Sequence, residues 1–195
     1  MGWIKAIIFD MDGTIIVPHL DFALIKSEIG LPPERGLLEG MSGMSSRERR
    51  RAEDILERHE LEAARGSRLN EGVRDALERL RRAGLRTAIV TRNSRRSVDI
   101  VLEKHDLAFD AVITRADCAP KPDPEGVLAA AGAMGVEPGE CVMVGDYEFD
   151  IRAGRAAGAL TVLFAPVGRD FAAEPDFEIR SFAELPGLVE ELSGG

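Results

Sequence analysis

Residues 5–14, Lys5-Ala6-Ile7-Ile8-Phe9-Asp10-Met11-Asp12-Gly13-Thr14, contain the signal around which the rest of the fold can be predicted. Their apolar run has the length of a β-strand and stops at two aspartates. Buried acids do not stabilise a strand end, so they indicate a function. Two carboxylates this close repel each other, and a divalent cation or a proton relieves the repulsion. One aspartate could then attack an electrophile while the other moves protons. On these residues alone, a plain strand end followed by a turn remains an alternative.

Composition restricts the class of protein. The 195 residues suggest one domain with an insertion, and 45% hydrophobic with 30% charged residues is typical of a soluble globular chain. A formal net charge of -9 argues against nucleic acid or an anionic membrane as a partner. The two cysteines, Cys118 and Cys141, give neither a disulfide framework nor a zinc site. Without a signal peptide or a membrane-spanning run, we expect a cytoplasmic protein.

One segment of the chain differs in character from the rest. From residue 17 to residue 68 the apolar residues fall at helical spacing and no strand signal occurs, although 36–43 is predicted to be a loop. We therefore assign 17–68 to a small all-helical cap domain. Residues 1–16 and 69–195 are assigned to the core domain, in which Asn70 is expected to cap the first helix.

Strand and helix patterns alternate through the predicted core. This alternation, with short connections, specifies an α/β fold: a Rossmann-like three-layer sandwich around a mostly parallel sheet. In such sheets the ligand lies outside the carboxyl ends of the strands, where the strand order reverses. The five later strands are predicted at residues 85–90, 111–113, 140–144, 160–164 and 177–179.

Polar residues follow three of the six predicted strands, including the first. Asp10, Thr91 and Asp146 each follow directly after an apolar run, so we expect them to meet at one edge of the sheet. Asp12 and Asp150 would add negative charge there, which requires a metal ion and a cation to remain ionised.

A phosphoryl group fits this expected site. Its oxygens could be bound by Mg²⁺, the Lys121 ammonium, the Thr91 hydroxyl and the N–H groups of a helix starting near Ser94. Arg92 and Asn93 follow Thr91 directly, and they either contact substrate or simply begin that helix.

Four motifs in this order resemble those of the haloacid dehalogenase-like hydrolase superfamily over nearly the whole chain outside the cap. The resemblance is to its phosphatase branch with a short helical cap, similar to phosphoglycolate phosphatase. The motifs are Asp10-Met11-Asp12-Gly13-Thr14, Thr91, Lys121 within Pro120-Lys121-Pro122-Asp123-Pro124, and Gly145-Asp146-Tyr147-Glu148-Phe149-Asp150.

The resemblance implies a role for each site residue. Asp10 would be the nucleophile that forms an aspartyl-phosphate, and Asp12 would protonate the leaving oxygen and later activate water. Thr91 and Lys121 would orient and neutralise the phosphoryl group. Asp146 would bind Mg²⁺ together with Asp10 and the backbone carbonyl of Asp12. Asp150 would support the residues that touch the ion.

The acid at position 12 favours a phosphatase over a dehalogenase, because a leaving halide needs no proton. A phosphomutase or a pyrophosphatase remains an alternative within the superfamily, and a phospho-aspartate switch or a non-catalytic phosphate-binding protein outside it. Val17-Pro18-His19 departs from the family pattern, and the cap is shorter than usual. We expect a small-molecule phosphate ester as substrate and a monomer or homodimer, while the identity of the ester stays open.

Overall fold

The predicted strands form one sheet of six parallel strands in the computed structural model, which describes residues 4–168 and 173–194. Their order across the sheet is β3-β2-β1-β4-β5-β6, so the α/β fold with its parallel sheet is confirmed. The strands are β1 (Ala6–Phe9), β2 (Arg86–Val90), β3 (Ala111–Ile113), β4 (Cys141–Gly145), β5 (Leu160–Phe164) and β6 (Phe177–Ile179).

The first strand lies at the point where the strand order reverses. The chain moves outward from β1 through β2 to β3, and then returns to the other side of β1 for β4, β5 and β6. Ile8 of β1 is in register with Ala88 on one side and Met143 on the other. The carboxyl end of β1 is therefore the expected position for a ligand in this topology.

Successive side chains along each strand point to opposite faces of the sheet, so a buried parallel sheet has two faces to cover. Helices cover both of them. The helices of the sheet unit are α4 (Val73–Arg82), α6 (Glu125–Met134), α7 (Glu148–Ala157) and α8 (Leu185–Gly194). Ala6 and Ile8 of β1 belong to a buried cluster with residues of α6 and α7. The ring of Phe9, on the opposite face, contacts the rings of Phe109 and Phe182.

Four further α-helices belong to another compact unit, and the first three of them share a buried apolar cluster. They are α1 (Phe22–Ile29), α2 (Leu37–Ser42), α3 (Ser46–Gly66) and α5 (Arg95–His105). The longest, α3, begins at a capping box, in which Ser45 and Glu48 each bind the other's backbone N–H. Residues 36–43 were predicted to be a loop, and this was wrong. Leu37 and Met41 are one helical turn apart and both buried, which favours a short helix.

The contacts between residues divide the chain into two compact units. One comprises Met1–Pro18, Arg68–Asn93 and Leu107–Gly195; the other comprises His19–Ser67 and Ser94–Asp106. The second unit thus takes in α5, which the sequence pattern placed in the core domain. The assignment of 17–68 as a functional cap domain stays a prediction. No helix among the described residues is long and apolar enough to span a bilayer.

Candidate active site

A tight turn at the end of β1 presents the two aspartates. The Asp10 N–H donates to the carbonyl of Val144 at 2.9 Å, which continues the pairing of β1 with β4. Asn70 Nδ2 donates to the carbonyl oxygen of Thr14 at 2.7 Å and to that of Gly13 at 3.2 Å. The prediction that Asn70 caps a helix was wrong, since α4 has Gly72 at its N-cap. Asn70 instead stabilises the turn that carries the acids.

A buried ammonium lies between two carboxylates at this site. Lys121 Nζ is 2.6 Å from Asp10 Oδ1 and 2.6 Å from Asp150 Oδ1. The side chains of Lys121 and Asp150 are each 2% exposed, and that of Asp10 is 14% exposed. Burial by itself would lower the pKa of Lys121, but the attraction of the two carboxylates outweighs burial and raises this pKa above its ordinary value. The ammonium therefore stays charged.

Burial has the opposite effect on the pKa of the first aspartate. It raises the pKa of Asp10 to about 6, although the Lys121 ammonium acts to lower it. Neutral pH lies above this pKa, so Asp10 is mostly ionised there, and the ionised form is the nucleophilic one.

Three carboxylates form a cluster that fits a divalent metal ion. One oxygen from each of Asp10, Asp146 and Asp150 lies within 4.8 Å of the other two. Thr14 Oγ1 donates to Asp146 Oδ1 at 3.4 Å. Three ionised carboxylates and the Lys121 ammonium leave two negative charges, which a divalent cation would balance. All the ligands are hard oxygen atoms, and Mg²⁺ prefers such ligands.

A glycine makes room for one of these ligands. Gly13 has φ +85°, and a Cβ atom at this position would lie 2.1 Å from Asp146 Oδ2. Both the backbone conformation and the contact exclude a larger side chain. The glycine of the first motif therefore allows the carboxylate of the last motif to approach the turn.

The cluster differs in membership from the predicted ligand set of Asp10, Asp12 and Asp146. Asp150 contributes an oxygen to it, while the carboxylate of Asp12 accepts a hydrogen bond from Asn93 Nδ2 at 2.5 Å. The resemblance had assigned only the backbone carbonyl of Asp12 to the metal. Which of these oxygens bind the ion remains a prediction.

The three residues after β2 lie in the same unit as the aspartates. Thr91 is buried, and its hydroxyl oxygen accepts a hydrogen bond from the N–H of Asn93 at 3.2 Å. The guanidinium carbon of Arg92 lies 4.7 Å from the centre of the ring of Phe149, a cation–π contact with the residue that precedes Asp150. The contacts of these residues with substrate stay predictions.

One backbone N–H that was predicted to bind phosphate donates to a carboxylate of the protein instead. The Ser94 N–H donates to Glu60 Oε2 at 3.1 Å, and Glu60 is a buried carboxylate of α3. No sequence signal indicated this contact, because Glu60 lies within a charged helical run. Asn70 and Phe149 were likewise missed as neighbours of the site. Phe149 could have been suspected from its position next to Asp150.

Comparison with known proteins agrees with this geometry. The sequence model of the haloacid dehalogenase-like hydrolases matches residues 4–158. An uncharacterized hydrolase of Saccharomyces cerevisiae is 32% identical over 167 residues, which cover 82% of this chain and 77% of the yeast protein. The N-acetylmuramic acid 6-phosphate phosphatase of Pseudomonas aeruginosa is 29% identical over 185 residues, covering 81% of this chain and 80% of that enzyme.

A solved structure agrees as well. The crystal structure of a HAD phosphatase from Thermococcus onnurineus has 27% identity and a TM-score of 0.71, covering 95% of this chain and 97% of that one. The fold, the order of the motifs and these relatives all lead to one family. The chain therefore belongs to the haloacid dehalogenase-like hydrolases and is an enzyme of their phosphatase class.

Proposed function

We propose that the protein is a Mg²⁺-dependent phosphatase that hydrolyses a small-molecule phosphomonoester through an aspartyl-phosphate on Asp10. The observation that carries this proposal is the buried Lys121 ammonium, 2.6 Å from Asp10, beside a cluster of three carboxylates. A phosphoryl group brings charged oxygens to the nucleophile. An ammonium and a divalent cation at the nucleophile are the charges that stabilise such oxygens.

The residues divide the reaction between them. A carboxylate oxygen of Asp10 attacks phosphorus, and the ester P–O bond breaks with its electron pair on the leaving oxygen. Asp12 protonates that oxygen, and then takes a proton from the water that hydrolyses the aspartyl-phosphate. Lys121 and the Thr91 hydroxyl orient the phosphoryl oxygens. Mg²⁺, held by Asp10, Asp146 and either Asp150 or the Asp12 carbonyl, would supply charge that offsets the phosphoryl oxygens.

Two other functions use similar residues. A phospho-aspartate switch also needs clustered acids and a lysine, but it keeps its acyl phosphate and needs no acid for a leaving group. A non-catalytic phosphate-binding protein would retain the site without turnover. Asp12 is an acid for the leaving group, so it favours the phosphatase over both of these functions. Pyrophosphatase and phosphomutase activities within the family differ in the group transferred or accepted, so a panel of substrates separates them.

The test is a panel of phosphate compounds, assayed for phosphate release with Mg²⁺ and with EDTA. The panel begins with sugar 6-phosphates, because one relative is named for such a substrate, and includes phosphoglycolate, nucleotides, pyrophosphate and a hexose 1-phosphate. We expect Mg²⁺-dependent release from at least one monoester. Release from pyrophosphate alone, or conversion of the hexose 1-phosphate to its isomer, would replace the proposal by one of the alternatives.

A matched pair of variants connects the activity to the nucleophile. Asp10→Asn should abolish turnover, because an amide does not form the acyl phosphate. Asp99→Asn removes an exposed carboxylate on α5 that is paired with Arg95, and it should leave turnover unchanged. A phosphorylated protein stable for minutes would favour the switch. Activity of the Asp10→Asn variant equal to wild type would reject the proposed nucleophile.

A further inference from the structure

We propose that Asn93 is a positioning residue that fixes the carboxylate of Asp12, and that it does not act as a contact to substrate. This inference rests on the proposed function, in which Asp12 is the general acid and base. It assigns to Asn93 a role different from the one its place in the sequence suggested. The observation behind it is the hydrogen bond between Asn93 Nδ2 and Asp12 Oδ2, at 2.5 Å.

The hydrogen bonds of Asn93 hold both its backbone and its side chain. Its N–H donates to the Thr91 hydroxyl at 3.2 Å, and its carbonyl accepts from the Arg115 N–H at 3.4 Å. The residue is only 8% exposed. A side chain on so constrained a backbone loses little entropy on binding a carboxylate, so it can define the orientation of that carboxylate well.

The contact decides which oxygen of Asp12 takes part in proton transfer. The amide NH₂ of Asn93 is a donor that does not exchange its proton with a carboxyl group at ordinary pH. With Oδ2 accepting from the amide, the transferred proton is assigned to Oδ1. In the first step the Oδ1–H bond breaks and the proton joins the leaving oxygen, which has taken the electron pair of the P–O bond. In the second step Oδ1 takes a proton from water as the water oxygen bonds to phosphorus and the P–O bond to Asp10 breaks.

Without Asn93 the Asp12 carboxylate would turn more freely about its Cβ–Cγ bond, a torsion whose preference is broad. Proton transfer needs the acid within hydrogen-bond reach of the leaving oxygen, and a misplacement of about 1 Å can cost about 100-fold in rate. In the first step the loss should therefore appear only where the leaving group needs a proton, whereas in the second step, in which Asp12 is the base, the loss is common to all esters.

The dependence on leaving group gives the experiment. The Asn93→Ala variant is assayed with an alkyl phosphate, whose alkoxide needs protonation, and with 4-nitrophenyl phosphate, whose phenolate leaves without it. We expect kcat/KM, which covers the reaction up to formation of the aspartyl-phosphate, to fall about 10- to 100-fold for the alkyl ester and less than about threefold for the aryl ester.

Asn70→Ala is the matched control, because it also removes a side-chain amide bound to the turn after β1. Asn70 donates to the backbone carbonyls of Gly13 and Thr14, so any loss should be equal for the two esters. In addition, Asn93→Ala should cost nothing further for the alkyl ester when Asp12 is already alanine, since its effect acts through that carboxylate.

Failure of this inference can be told apart from failure of the proposed function. A wild-type protein that hydrolyses neither these two esters nor any monoester of the panel overturns both. An active wild-type protein in which Asn93→Ala lowers kcat/KM equally for both esters overturns the inference alone and makes Asn93 a substrate contact or a purely structural residue. A selective loss with the alkyl ester that disappears in the Asp12→Ala background supports it.

Discussion

Replacing Gly13 by alanine should damage the metal site out of proportion to its effect on stability. Gly13 has φ +85°, and left-handed backbone of this kind costs an alanine about 1 to 2 kcal/mol. Its Cβ would also lie 2.1 Å from Asp146 Oδ2, whereas ordinary contacts begin near 3.4 Å. The Asp146 carboxylate would therefore have to move by more than about 1 Å, which is half of a normal Mg²⁺–oxygen distance.

The consequence can be separated from backbone strain with a matched variant. Gly158 has φ +84° and lies in the same unit, and a Cβ atom added there would meet no atom within 4 Å. Gly158→Ala should thus lose a similar free energy of unfolding, measured in urea, with little effect on Mg²⁺ binding. For Gly13→Ala we expect about 100-fold or greater loss in kcat/KM, and weaker Mg²⁺ binding by calorimetry.

A Gly13→Ala variant that binds Mg²⁺ and turns over like Gly158→Ala would refute this prediction. That result would mean that Asp146 does not need its observed position to bind the ion. If both variants lost activity to the same extent, general destabilisation would be the cause. Only a loss of binding and turnover confined to Gly13→Ala supports the predicted role of Asp146.

Three further predictions follow from buried groups. Lys121→Met should reduce kcat/KM at least about 100-fold in steady-state assays, because it removes the ammonium shared by Asp10 and Asp150; a loss below about tenfold would contradict this. Burial raises the pKa of the Cys141 thiol to about 11, so its thiolate fraction at pH 9 is about 1%. Reactivity should rise only as the pH approaches 11, and mass spectrometry should show its alkylation by iodoacetamide at pH 9 only after unfolding. Phe182→Ala should lower the free energy of unfolding in urea by about 3 to 5 kcal/mol, because the ring is fully buried and its centre lies 4.7 Å from the centre of the Phe164 ring. A loss below about 1 kcal/mol would contradict this packing.

The order of secondary structure could be predicted because its signals are local. Apolar runs, glycines and helix caps placed most of the later elements close to their observed bounds, as with Ala111–Ile113 and Glu125–Met134. Prediction failed for a short segment in which two apolar residues decide between helix and loop, Leu37–Ser42. The amide of Asn70 was wrongly assigned to a helix cap, because a local rule does not consider partners in the turn after β1.

Local pattern was enough to predict that Asp10, Thr91 and Asp146 reach one edge of a parallel sheet. Each follows a strand, and parallel strands bring their carboxyl ends together whatever the side chains do. The atoms that meet there became known only from the folded chain: Lys121 Nζ with Asp10 and Asp150, and Asn93 with Asp12. Lys121 and Asp10 are 111 positions apart, and their contact depends on rotamers and packing that no local pattern encodes.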